Sequence, residues 1–409
     1  MERAQEEGRI TMGNAVTGGG ARATLAALVA ATLLVATAAS GAPFVPTDDA
    51  QVLERLPGGT AAQLRQLKSM QAASAQSPND VARATALATA HIRASRVEGD
   101  PRFLGYAQAA LAPWWKDPAA PTPVLLLRAT ILQSSHQFTP ALADLGRVLE
   151  RDPKHAQALL TRATVLTVMG RYRDARIDCD RLAGIAPEIY KVVCIAAIDS
   201  LTGNAGPADE AVRLTLRSAP RLDSAGRTWG ETLLGEIAQR RGDPAAEAHF
   251  RAALAGERDI YVLGAYGDWL LDQGRAEEVV ELLGNETRID PLLLRLALAQ
   301  AALKRPEAAA SIETLRARYE ASRARRDSSH QRDNARFELA LAGNPRQALA
   351  LALENWNVQR EPADLRILAE AAAATGDAAA LGVVKQWLTE TGLEYPAVAA
   401  LVAGKAPAK

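Results

Sequence analysis

Two consecutive 34-residue windows, residues 122–155 and 156–189, superpose without a gap, and this repeat limits the possible folds more sharply than any other feature of the chain. In the first window the recurring slots hold Leu125, Arg128, Ala129, Leu132, Phe138, Ala141, Leu145, Val148, Leu149 and Pro153. The second fills the same slots with Leu159, Arg162, Ala163, Leu166, Tyr172, Ala175, Cys179, Leu182, Ala183 and Pro187. A fixed period of this length marks a stacked architecture, in which each unit buries its faces only against its neighbours. Within a unit, spacings of three and four put Leu159, Ala163 and Leu166 on one face of a first helix. Gly170 then supplies the turn, where a left-handed backbone is least strained for glycine. Ala175 is small enough for a second helix to approach the first. Pro187 closes the unit, since proline suits a helix start and not its interior.

Weaker copies extend the array in both directions. Residues 85–118, 190–222, 227–259 and 260–293 each keep part of the pattern, and another pair begins near 362–390. The stretch 294–361 reads as helices of irregular period, broken at Arg305-Pro306, Ser328-Ser329 and Gly343-Asn344-Pro345. Composition points the same way. Alanine, leucine and arginine dominate, and all favour helix. Aromatic residues are only 4%, so the core must be built from small aliphatic side chains. No window alternates in polarity with β-branched residues, which predicts almost no strand.

The pattern of the two windows resembles the tetratricopeptide repeat, with Arg128 and Arg162 standing where that family has leucine. The resemblance implies an all-α fold, a right-handed α-α superhelix (solenoid) of tetratricopeptide-like helix pairs. Residues 85–293 form the repeat array, and 294–409 a divergent helical region with a C-terminal cap. The resemblance also implies a non-catalytic scaffold that binds a protein or peptide partner on a concave face lined by first helices. Carried over slot by slot, that face takes Leu126, Thr130 and Gln133 from one repeat and Gln157, Leu160, Thr164 and Thr167 from the next. The set holds no charge, so it is the wrong surface for clamping a carboxylate, which calls for lysine or arginine.

The N-terminus gives an address. Residues 23–39 carry no charge and are rich in Ala, Leu and Val, with Arg22 before them and Ala36, Ala38, Ala39 and Ser40 at the far end. Positive flank, apolar stretch and small-residue exit make up a secretory signal. Residues 1–40 are therefore assigned to a signal peptide or N-terminal anchor, and 41–84 to a linker and N-terminal helices, with at most one short helix at Asp48–Arg55 in the Pro- and Gly-rich part. A spanning anchor needs about 20 strongly apolar residues, and Thr24, Thr32 and Thr37 interrupt this stretch. The expected location is exported and periplasmic. Contact with a membrane is expected only through an uncleaved N-terminal segment.

Signs of chemistry are scarce. His91, His136, His155, His249 and His330 never fall one helical turn apart, and no phosphate-cradling glycine loop precedes a helix. Adjacent acids such as Asp48-Asp49 and Glu277-Glu278 point in different directions on a helix. No catalytic residue, metal site or cofactor is expected. Lys+Arg and Asp+Glu are equal at 47 each, which argues against a nucleic-acid partner. The run Arg316, Arg318, Arg323, Arg325 and Arg326 interleaves with acids and reads as a solvated helix face. Of Trp114 and Trp115, one is expected between repeats and the other near the surface. Cys179 and Cys194 are the only cysteines, on the second helix of one repeat and the first of the next. They form either a disulfide, favoured in an oxidising compartment, or two packed thiols beside Val192, Val193 and Ile195. Two other functions stay open: an α-helical-toroid enzyme of cell-wall or polysaccharide turnover, marked by two facing carboxylates in a deep cleft, and a membrane-anchored assembly factor. N-terminal sequencing of protein from the exported fraction is expected to begin at Ala39 or Ser40; an intact Met1 or Met12 in the membrane fraction would identify an anchor instead.

Overall fold

The computed structural model describes Asp48 and residues 61–404, apart from 220–221, 257 and 326–329. The apolar stretch 23–39 and the short helix expected at Asp48–Arg55 lie outside the described residues, Asp48 aside. Twenty α-helices and no strand occur among the described residues. The first is α1 (Ala61–Gln76). Pairs follow: α2 (Val81–Glu98) with α3 (Arg102–Ala110), α4 (Thr122–Ser134) with α5 (Phe138–Arg151), and α6 (Ala156–Val168) with α7 (Tyr172–Arg181). Next come α8 (Glu188–Asp199) with α9 (Ala205–Ser218), α10 (Ser224–Arg241) with α11 (Ala246–Leu254), and α12 (Ile260–Asp272) with α13 (Ala276–Leu283). The last are α14 (Asp290–Ala302) with α15 (Ala308–Ala324), α16 (Gln331–Ala340) with α17 (Pro345–Val358), α18 (Pro362–Thr375) with α19 (Ala378–Thr391), and a terminal α20 (Pro396–Val402). The fold is an all-α superhelix of stacked helix pairs.

Local chemistry sets the helix ends. Asp80, Asp223, Asp259 and Asp377 each accept a backbone N–H at the start of α2, α10, α12 and α19, satisfying donors that have no partner within the helix. The side chains of Glu361 and Asp364 close a reciprocal capping box on α18. Alanine fills the places where helices cross. Ala129, Ala141 and Ala175 are fully buried and Ala163 nearly so, and leucines such as Leu125, Leu145, Leu159 and Leu182 fill the space between.

Arg128 and Arg162 have a structural reason to depart from leucine. Arg128 grips Asp144 of α5 through two bonds of 2.6 and 2.7 Å, and its third nitrogen donates to the carbonyls of Trp114, Trp115 and Asp117. Arg162 repeats the grip on Asp178 of α7, again at 2.6 and 2.7 Å. Arg147 and Arg181 add a second cation to the same two acids. A forked guanidinium on a carboxylate gives each buried charge both a counter-ion and its hydrogen bonds. The pair therefore takes the place of an apolar contact between the two helices of a repeat.

Two expectations need correction. Trp114 and Trp115 are both half-buried and both pack on the N-terminal core, because a 3-10 turn over Ala112–Trp114, not a helix, carries them. The arginines of α15 are more than a solvated face. Arg318 bonds Asp290 at 2.6 Å, Arg323 reaches Asn334 and Glu338, and Arg316 lies over the Phe337 ring.

The array winds so tightly that later pairs meet earlier ones. The Val168 carbonyl accepts from the Arg360 backbone N–H at 2.7 Å. The Val97 carbonyl accepts from Arg258 at 3.1 Å. Gly203 stacks on Gly392, and Glu394 both accepts from the Ala205 backbone N–H and pairs with Arg241. Gly170 sits at φ +75°, and a Cβ there would lie 2.6 Å from Cη2 of Trp387. Gly184 has nearly the same φ, +71°, but open space around it. Gly170→Ala and Gly184→Ala therefore share the left-handed strain of about 1–2 kcal/mol. Gly170→Ala alone is expected to add about 1–3 kcal/mol of overpacking against Trp387. Equal urea midpoints for the two variants would refute this turn-to-turn contact.

Candidate functional site

The inner side of the superhelix is identified by bonds that skip a neighbour. Only helices on the inside of a curve can reach past the next pair. Arg336 of α16 donates to Asp268 of α12, and Arg366 of α18 grips Asp272 of α12 with two bonds of 2.7 Å. First helices thus converge on the inside. On α12 the inward stripe is Tyr261, Ala265, Asp268 and Asp272, which fall on one face at helical spacing.

The inner face from α10 to α18 is densely charged and almost wholly self-paired. Asp268 also accepts from Arg295 at 2.6 Å, and Arg295 reaches Asp333 at 3.5 Å. Arg332 holds Glu361 at 3.0 Å and Asp364 at 3.4 Å. Arg366 also donates to Glu370 at 2.7 Å. Burial alone would raise the Asp268 carboxyl, but the guanidinium groups of Arg295 and Arg336 outweigh it and hold the acid well below the usual range. Asp364 goes the other way: it is fully buried, and its desolvation outweighs the pull of Arg332. Glu236 of α10 is raised by burial and accepts the Tyr261 hydroxyl, with no arginine bonded to it.

The strip expected on the N-terminal pairs has a different character. Leu126, Thr130, Gln133, Leu160 and Thr167 are half-buried, and Gln157 and Thr164 are exposed. The threonine hydroxyls are already used. Thr130 donates to the Leu126 carbonyl, Thr164 to that of Leu160 and Thr167 to that of Ala163, at 2.9–3.0 Å. Gln157 donates to Thr161. The strip therefore offers methyl groups and two leucines more than free hydrogen-bonding groups, and it carries no charge.

No family model matches the chain, and no curated protein matches it. Solved structures do resemble it. A tetratricopeptide repeat protein from Parabacteroides merdae shares 18% identity at a TM-score of 0.42, over 62% of this chain and 91% of its own. The APC/C hetero-tetramer Cut9–Hcn1 shares 15% at a TM-score of 0.42, over 75% of this chain, which spans only 59% of that one. A monomeric mutant of IFIT1 with Gppp-AAAA shares 14% at 0.38, over 83% of this chain and 76% of its own.

Cys179 of α7 and Cys194 of α8 are joined by a disulfide, with Cα atoms 5.6 Å apart. It ties one repeat to the next behind the neutral strip. Among the described residues no group of His, Cys, Asp and Glu is placed to hold a metal ion, and no helix is long and apolar enough to cross a membrane. Sequence reading missed the charged inner face, since its partners lie 68 and 94 residues apart. The helical spacing of Tyr261, Asp268 and Asp272 was the available signal.

A depressed carboxyl stabilises the fold above its unfolded value, about 3.9, and that contribution is lost as pH falls through its lower folded value. Asp268→Asn is therefore expected to lower unfolding free energy at pH 7 by about 3 kcal/mol, because it takes the shared carboxylate from both Arg295 and Arg336. The gap to wild type should close as the solution is acidified below about pH 4. Urea titrations that keep the gap constant into strong acid would rule out this role for Asp268.

Proposed function

We propose that the protein is an exported, non-catalytic scaffold that holds a protein or peptide segment in the cell envelope. The observation that carries this reading is the contrast along the inner face. From α12 to α18 the charges are spent on one another, and a ligand competing for them would have to break ion pairs. On α4 and α6 the same face is uncharged and open to solvent, so an extended segment can be covered without desolvating an ion. Export is supported by the charge-free stretch 23–39 with its small-residue exit and by the bonded Cys179–Cys194 pair, since disulfides persist in oxidising compartments.

An enzyme of the helical-toroid kind calls for two free carboxylates facing each other. Of the inner carboxylates named above, all but Glu236 are held by an arginine, which favours the scaffold. The segment is held mainly by apolar contact with Leu126, Leu160 and the threonine methyls, with Gln133 and Gln157 giving orientation. Such contacts are individually weak, so affinity is spread over adjacent repeats.

Replacing Thr130, Thr164 and Thr167 together by glutamate puts three charges into the strip while leaving the helix packing behind it intact. Capture of envelope proteins by the tagged mature chain is expected to fall tenfold or more, a change of about 1.4 kcal/mol. Ile177→Glu, at a position 60% exposed on α7, serves as the control and should capture normally. An unchanged set of captured proteins from the triple variant, with helical circular dichroism preserved, would exclude this strip.

A further inference from the structure

One buried arginine of the inner face holds no carboxylate among the described residues. Arg240, in the last turn of α10, is 9% exposed, and its protein hydrogen bond runs from one Nη to the Ser200 hydroxyl at 3.0 Å. Among the described residues no carboxylate lies within ion-pair distance of it, whereas Arg295, Arg332, Arg336 and Arg366 each hold one or two. Its Nε and other Nη are not among the sealed, unpartnered polar atoms of the described residues, so they keep some contact with solvent. The phenols of Tyr172, Tyr261 and Tyr395, drawn from α7, α12 and the segment before α20, lie near enough to act on its charge, as does Glu236. Tyr261 is 57% exposed although parts of α10, α16 and α18 surround it, which shows that water reaches this interior.

Glu236 lies one helical turn before Arg240 and would be its natural partner. The Tyr261 hydroxyl donates to Glu236 instead and holds the carboxylate away. A buried guanidinium kept clear of the nearest acid is arranged to receive a different anion, since its planar fork matches an oxyanion. We propose that Arg240 anchors a binding site for one small oxyanion, a carboxylate or a phosphate, inside the superhelix. Arg240 offers a single guanidinium fork, which matches one oxyanion group. The site is separate from the neutral strip on α4 and α6 and does not depend on it.

The test is calorimetric titration of the full chain with inorganic phosphate and, in a second arm, with succinate, both at constant ionic strength set by sodium chloride. Saturable binding of one or both is expected, and the arm that saturates tells phosphate from carboxylate. Arg240→Gln should weaken binding at least tenfold. Tyr261→Phe should weaken it as well, because Glu236 is released to occupy Arg240. Glu236→Gln should strengthen it. If Arg240→Gln does not fold, by circular dichroism, the opposite shifts of the other two variants carry the test. Absence of saturable binding of either anion to wild type would overturn the proposal. So would unchanged affinity in folded Arg240→Gln, or in both Tyr261→Phe and Glu236→Gln.

Discussion

Two aspartates one helical turn apart on α12 govern how tightly this array winds. Asp268 takes Arg295 from the next pair and Arg336 from the one after, and Asp272 takes Arg366 from the pair beyond that. A repeat array held only by contacts between neighbours can vary in curvature, because small changes per repeat accumulate. Bonds that skip neighbours act as chords across the curve and remove that freedom. Buried ion pairs of this sort are often no better for stability than apolar residues of the same volume. Their effect here is geometric, since a guanidinium fork fixes distance and direction where a methyl contact does not.

The tight winding has a steric condition, met by small residues on two scales. Between the helices of a pair, buried alanines such as Ala141 and Ala175 let the axes approach. Between successive turns of the superhelix, Gly170 admits the Trp387 indole and Gly203 lies against Gly392. Trp387 is in turn packed edge-on to Trp356, with the Arg360 guanidinium over both rings. A chain so poor in aromatic residues places these where a late pair meets an earlier one, and there a large rigid surface contributes most.

The repeating parts of this design were legible in the sequence because they are local. Gly170, Pro187 and the Leu/Ala spacing define one unit, and the breaks at Arg305-Pro306 and Gly343-Asn344-Pro345 mark helix ends through proline chemistry alone. Arg128 and Arg162 read as departures from a pattern, although Asp144 and Asp178 stand in equivalent places in both windows. Charge matched to charge across two helices was the visible clue, and an apolar template conceals it. Trp114 and Trp115 were misplaced for a related reason. Their backbone carbonyls serve Arg128, and that demand sets the 3-10 turn. The arginine partners of the inner acids were not legible, because periodicity relates a residue to its neighbouring repeat and not to one several pairs away.

The same division explains where this molecule can bind without losing its shape. A partner that competes for Asp268 or Asp272 would loosen the chords that set the curvature, so binding there would be coupled to deformation of the whole array. The strip on α4 and α6 carries no such duty. Its threonine hydroxyls are bonded to their own helices, its helices are locked to α5 and α7 by the Arg128–Asp144 and Arg162–Asp178 grips, and the Cys179–Cys194 bond fixes the next helix behind it. A surface already ordered on this scale loses little conformational entropy when covered, and preorganisation of that kind lets weak apolar contacts accumulate into useful affinity.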